Sequence, residues 1–142
     1  MSVNRVRAGL VLALTAVLVL AACSDEPVQE LEPPAHNVPI EGTDRYRVVL
    51  TPKAAVRLDI QSLQVAETDL GPAVSSDALI LDPDGRFWVY VIPEPLQYER
   101  VELVSVRDEG GQAYFDEGPT VGTDVVVVGV PELYGEETGV GK

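Results

Sequence analysis

The side chains that could act as nucleophiles or bases are scarce in this sequence. It contains one cysteine, Cys23, at the end of an apolar run, and one histidine, His36, in a proline-rich stretch. Serine or cysteine catalysis needs a nearby base, and a zinc site of the Cys/His type needs several such ligands. We expect His36 to be solvated. The sequence therefore predicts no enzyme, with no catalytic, cofactor-binding or metal-ligating residue.

Two short motifs imitate binding sites without completing them. Residues 82–85 (Asp-Pro-Asp-Gly) begin like a calcium loop, but Pro93 stands at the twelfth position, where a bidentate glutamate is required. Residues 139–142 (Gly-Val-Gly-Lys) resemble the end of a phosphate loop, but Glu136 stands where its first glycine is required. Residues 82–85 instead carry the proline and glycine of a β-turn, which we predict there.

Carboxylates are the one abundant reactive group. The chain has 23 acidic and 10 basic side chains, a net charge of −13. Adjacent pairs, Asp108 with Glu109 and Asp116 with Glu117, could do acid–base work if burial separated their pKa values. In so acidic a chain such pairs more often form a solvated face, and the net charge argues against a nucleic-acid partner.

The first 22 residues have the pattern of a signal peptide. Arg5 and Arg7 precede an uncharged run, residues 8–22, which is shorter than the about 20 residues that a transmembrane helix needs. The run ends in Leu-Ala-Ala before Cys23, which is similar to a bacterial lipobox. This similarity implies that Cys23 becomes the lipidated N-terminus, carrying diacylglycerol and a fatty acyl chain such as palmitate, on the extracytoplasmic side of a membrane.

A linker is predicted between the lipidation site and the folded part. Residues 23–44 include four prolines and six acids, with no period of 2 or 3.6. Proline favours extended backbone, so we expect a disordered, semi-rigid tether, with the folded domain at residues 45–142. From Cys23 onward the chain has 8 basic and 23 acidic side chains, a net charge of −15.

The folded part reads as a small all-β domain. Short apolar segments separated by turn residues predict a β-sandwich or partly open barrel, with one short helix that starts at Thr51 and Pro52. Residues 86–92 are apolar or aromatic on both faces and predict a central strand, in which Trp88 and Tyr90 pack in the core. Residues 97–107 lose their alternation once, which predicts a bulge or a bent strand.

Two stretches resemble the periplasmic adaptor proteins (membrane fusion proteins) of tripartite efflux pumps, the HlyD-like and resistance-nodulation-division class. Residues 48–60 are similar to the adaptor "LTPEA…RLGI" segment, and residues 78–91 to the hairpin of its membrane-proximal domain. The sequel is similar to the adaptor "GL…GD-x-VVV-x-G…ELYG-x-E" ending at residues 100–103, 118–122, 129 and 132–137. The segments that would form the half-lipoyl and helical-hairpin domains are missing, which implies a shortened adaptor.

The resemblance implies a function in docking. We expect a lipid-anchored accessory protein that contacts a membrane transporter, such as an efflux transporter, or another envelope complex. The expected contact surfaces are residues 97–107 and the C-terminal tail. The alternative is a surface lipoprotein that binds a small molecule or a cation, because the domain is acidic. The sequence predicts neither the partner nor the oligomeric state.

Overall fold

Residues 32–139, the part of the chain that the computed structural model describes, form two antiparallel sheets and two helices. The strands are β1 (Ala35–Pro39), β2 (Tyr46–Leu50), β3 (Gln61–Gln64), β4 (Ala66–Thr68), β5 (Gly71–Ser75), β6 (Ile80–Leu81), β7 (Phe87–Val91), β8 (Gln97–Leu103), β9 (Arg107–Glu109), β10 (Gln112–Tyr114) and β11 (Asp124–Val128). The helices are α1 (Pro52–Arg57) and α2 (Val130–Thr138), and a 3₁₀ turn spans Ser76–Ala78.

The two sheets confirm the predicted all-β sandwich. The large sheet has the order β1-β2-β8-β7-β11-β3, with β6 also paired to β7, and the small sheet has the order β4-β5-β10-β9. The sheets do not close into a barrel.

Strand β7 is central, as its sequence predicts, and both of its faces are buried. Trp88 and Tyr90 lie in one apolar cluster with residues of α1 and α2. Val89 and Val91 lie in a second cluster with residues of the small sheet. Because side chains alternate along a strand, the aromatic pair faces the helices and the valine pair faces the other sheet. The predicted core positions of Trp88 and Tyr90 are confirmed.

The turn and the helix cap follow their local sequence signals. The N–H of Gly85 donates to the carbonyl of Asp82 at 3.0 Å and closes the hairpin between β6 and β7. The N–H of Ala54 donates to Oγ1 of Thr51 at 3.2 Å, and Pro52 occupies the first turn of α1. Both predictions rest on contacts within five residues, and both are confirmed.

The predicted domain boundary at residue 45 is wrong. Strand β1 lies within the stretch predicted to be a tether and pairs with the whole of β2, from Ala35 opposite Leu50 to Pro39 opposite Tyr46. Proline is tolerated on an edge strand, because one side of that strand needs no N–H donor. His36 is exposed on this edge strand. Residues 1–31, which include the predicted signal peptide, Cys23 and the start of the tether, lie outside the described residues.

The second helix, α2, was not predicted. It begins after Gly129, which has a left-handed φ of 89°, and it buries Val130, Leu133 and Glu137. Those three positions lie on one helical face, but the acidic residue among them disguises the apolar pattern. The helix ends at Gly139, which has a φ of 71°.

Strand β8 leaves the large sheet at a bend, as the lost alternation predicts. It ends at Leu103, Ser105 adopts a φ of 58°, and the chain enters the small sheet as β9. At the bend, Val104 forms an isolated antiparallel bridge with Glu117.

Candidate functional site

The Asp82 carboxylate binds four N–H groups of its own hairpin. Its Oδ1 accepts from the backbone N–H groups of Asp84 and Arg86, each at 2.9 Å. Its Oδ2 accepts from Nε of Arg86 at 3.0 Å and from the indole Nε1 of Trp88 at 2.9 Å. Since both oxygens are already occupied by donors, this carboxylate organises the turn and holds Trp88 in place.

These hydrogen bonds also determine the ionisation of Asp82. Burial raises its pKa, but the N–H groups of Arg86 and Trp88 and the charge of Arg86 outweigh burial and lower the pKa below its usual 3.8. The pKa of Arg86 is raised, because attraction to Asp82 and Asp84 outweighs its desolvation. The pair is therefore fully ionised at neutral pH.

Three arginines surround the indole of Trp88. The guanidinium carbons of Arg45, Arg86 and Arg100 lie 5.5, 5.1 and 4.8 Å from the ring centre. Each distance is within cation–π range. Because Trp88 is only 6 % exposed, its ring is covered by the protein itself and offers no open stacking surface.

A buried ion pair connects α2 to the large sheet. Glu137 is 6 % exposed, and its Oε2 lies 2.8 Å from Nε of Arg100 while its Oε1 accepts from Nη2 of Arg100 at 3.1 Å. The hydroxyl of Tyr90 donates to Oε2 at 2.5 Å. Burial, and then the neighbouring carboxylate, raise the pKa of Tyr90. Sequence reasoning missed Glu137, because nothing local distinguishes it from the adjacent Glu136.

The same carboxylate interrupts the ladder between β2 and β8. These strands pair at Val48 and Tyr98. Two residues further along, a continued ladder would join Tyr46 to Arg100. Instead, the N–H of Tyr46 faces Oε1 of Glu137 at 3.5 Å. The pairing of β2 and β8 ends at this point.

Part of the outer edge of β8 is therefore without a paired strand. The carbonyl of Arg100 accepts from the guanidinium of Arg45. Val104 pairs again, donating to the carbonyl of Glu117 at 2.9 Å. Alternation along an antiparallel strand places the N–H and C=O of Glu102 on this same outer side, since the residues on either side of it face β7. Among residues 32–139, no strand pairs with β8 on this side at Glu102.

A surface groove of about 790 Å³ lies over this open edge. Two of its cations are engaged, Arg100 with Glu137 and Arg45 with the carbonyl of Arg100. Three of its carboxylates, on Asp44, Glu102 and Glu117, form no ion pair within the described part of the chain. Ile40, Val101 and Val104 add apolar surface.

The other residues considered from the sequence are not gathered into a site. Asp108, Glu109, Asp116 and Glu117 are all exposed, so the two carboxylate pairs lie on a solvated surface as predicted. In the range 32–139, no group of three or more His, Cys, Asp or Glu side chains could hold a metal ion. Nor does any helix within that range have the length and apolar character needed to cross a membrane.

Comparisons with known proteins identify no relative. No family model, no curated protein and no solved structure matches this chain.

Proposed function

We propose that this chain is a lipid-anchored extracytoplasmic protein whose β-domain docks on a membrane transporter or another cell-envelope complex, in the manner of a shortened efflux adaptor. The lipobox-like residues 20–23 support the anchor, and the adaptor-like residues 78–91 support the docking role. The proposal assigns no catalytic step to the chain.

The accessibility of β8 is the observation that carries this proposal. The resemblance to adaptors marks residues 97–107 as a contact surface, and residues 99–104 of that stretch line the 790 Å³ groove, apart from Leu103, which is buried in the core. The domain therefore offers a partner an open groove on its surface.

A second candidate, binding of a small cation, is favoured by the three carboxylates of that groove that form no ion pair in the described part of the chain. Asp44, Glu102 and Glu117 would attract an extended organic cation such as a polyamine, which needs no close cluster of ligands. Calorimetric titration of the full chain with spermidine tests this candidate. Saturable binding that is lost in Glu102→Gln supports it, and the absence of heat beyond dilution contradicts it.

Lipid attachment is tested by growth with a fatty-acid probe and analysis of the purified protein. We expect the wild type and the neighbouring control Ser24→Ala to be labelled, and Cys23→Ala to be unlabelled. An unlabelled wild type would contradict the anchor.

Docking is tested by crosslinking in intact membranes and purification under denaturing conditions. Recovery of the lipoprotein alone would contradict a membrane-protein partner.

A further inference from the structure

We infer that the groove beside β8 binds an extended segment of the partner protein, which adds as a strand to the open edge at Glu102 and carries lysine or arginine. The inference rests on the proposed docking function and names the surface and the chemistry of the contact. Strand edges bind extended peptides through main-chain hydrogen bonds, while pockets for alternate side chains supply the specificity.

The open edge has the right length for a short strand. It extends from Tyr98, where pairing with β2 ends, to Val104, where pairing with Glu117 begins. At about 3.3 Å per residue these six steps span about 20 Å. Between them, no strand of the described part pairs with the outer side of β8, where alternation places the N–H of Arg100 and both backbone groups of Glu102. A segment of about five residues would satisfy them.

The charges of the groove favour a basic occupant. Within residues 32–139, Asp44, Glu102 and Glu117 form no ion pair, whereas both groove arginines are engaged. A second copy of this chain is disfavoured because residues 32–139 carry 20 acidic and 7 basic side chains, so two copies repel each other. The chain's own residues 23–31 are disfavoured for the same reason, because they contain three acids and no base.

The alternation of β8 defines the pattern of the incoming segment. Glu102 is opposite Trp88 and shares its face of the sheet, and Val101 is on the other face. On an adjacent strand, side chains directly opposite share a face. In the incoming segment, a basic side chain opposite Glu102 would therefore face its carboxylate. The two neighbouring residues of that segment would lie on the face of Val101 and should be apolar.

The binding test uses two probe peptides and the detergent-solubilised full chain. The probe is acetyl-Val-Lys-Val-Lys-Val-amide, and its charge-reversed control is acetyl-Val-Glu-Val-Glu-Val-amide. We expect the lysine peptide to bind and to slow hydrogen exchange at the amides of Arg100 and Glu102 by about tenfold or more, and the glutamate peptide to have no effect. The absence of binding at about 1 mM lysine peptide, or binding without protection of these amides, would overturn the inference.

Matched charge reversals locate the contact. Asp44→Lys and Glu117→Lys change exposed groove positions, and Glu67→Lys and Glu109→Lys make the same change at exposed positions outside the groove. We expect the groove variants to weaken binding about tenfold, and the control variants by less than about twofold. Equal weakening in all four would show attraction to the overall charge and would contradict a groove site.

Photo-crosslinking in intact membranes separates this inference from the proposed function. The crosslinker is placed at Val104 in the groove, and at Val56 and Val121 on other exposed surfaces. A crosslink from Val104 alone to a basic, extended segment of a membrane protein supports both the groove inference and the proposed docking function. Crosslinks from Val56 or Val121 alone contradict the groove and leave the docking function standing. A crosslink from Val104 to a second copy contradicts the proposed occupant, and no crosslink from any position contradicts docking.

Discussion

Tyr90 and Glu137, which are 47 positions apart, are joined by a hydrogen bond of 2.5 Å between the phenol hydroxyl and Oε2. Tyr90 is fully buried in β7, and Glu137 is in the last turn of α2. The carboxylate also binds Arg100 of β8, so a single side chain connects the helix to two strands. This arrangement holds the C-terminal helix against the large sheet, and the same carboxylate faces the N–H of Tyr46 just beyond the last pair of β2 and β8.

Removing the phenol hydroxyl should destabilise the domain. In Tyr90→Phe the ring remains, but the buried carboxylate of Glu137 loses a donor, and we expect a loss of about 1–3 kcal/mol. Urea unfolding at neutral pH measures this loss. The control is Tyr114→Phe, whose hydroxyl makes an exposed bond to Gln112, and it should change stability by less than about 0.5 kcal/mol. Equal effects of the two substitutions would contradict the role of the Glu137 contact.

Asp82 should contribute to the acid sensitivity of the domain. Because its pKa is lowered below 3.8 in the folded state, its stabilising effect is present above about pH 4 and is lost as the pH falls through the folded-state pKa. We therefore expect Asp82→Asn to be less stable than the wild type at pH 7 and to lose less stability on acidification. Thermal unfolding between about pH 7 and pH 2 measures both effects. The exposed control Asp116→Asn should keep the wild-type slope.

A methyl group at Gly129 should be poorly tolerated. Its φ is 89°, and a Cβ there would lie 2.2 Å from Cδ1 of Ile60. Backbone strain and overpacking together predict a loss of about 2–4 kcal/mol for Gly129→Ala. Gly110→Ala is the matched control, because its φ is also positive, at 63°, but a Cβ there meets no atom within 4 Å. A loss of about 1–2 kcal/mol is expected for this control, and similar losses in both would exclude the steric contribution.

Hydrogen exchange along β8 should alternate in the free protein. The amides of Glu99, Val101 and Leu103 point toward β7, whereas those of Arg100 and Glu102 point into the groove. We expect exchange at the second pair to be faster by about tenfold or more, because amides without partners exchange without local opening. Exchange-detected nuclear magnetic resonance resolves these positions. Slow exchange at Glu102 without added peptide would show that the edge is already paired.

The features predicted correctly from the sequence depend on neighbours in the chain. The turn at residues 82–85, the cap at Thr51 and the central position of β7 follow from side chains a few residues apart, where backbone preference and alternation decide the outcome. Strand β1 was missed because its proline-rich sequence has weak strand preference, and its pairing with β2 compensates for this.

The sequence by itself therefore determined the all-β class, the hairpin of β6 and β7, and the core positions of Trp88 and Tyr90. Tertiary structure alone decided which of many acids is buried and which strand edge is left open. Glu137 is buried because Arg100, 37 positions away, compensates its charge. The edge at Glu102 is open because Arg45 and Glu137 bind the groups that would otherwise continue the ladder. Contacts between residues so distant in sequence leave no local pattern, since they depend on how separate elements pack.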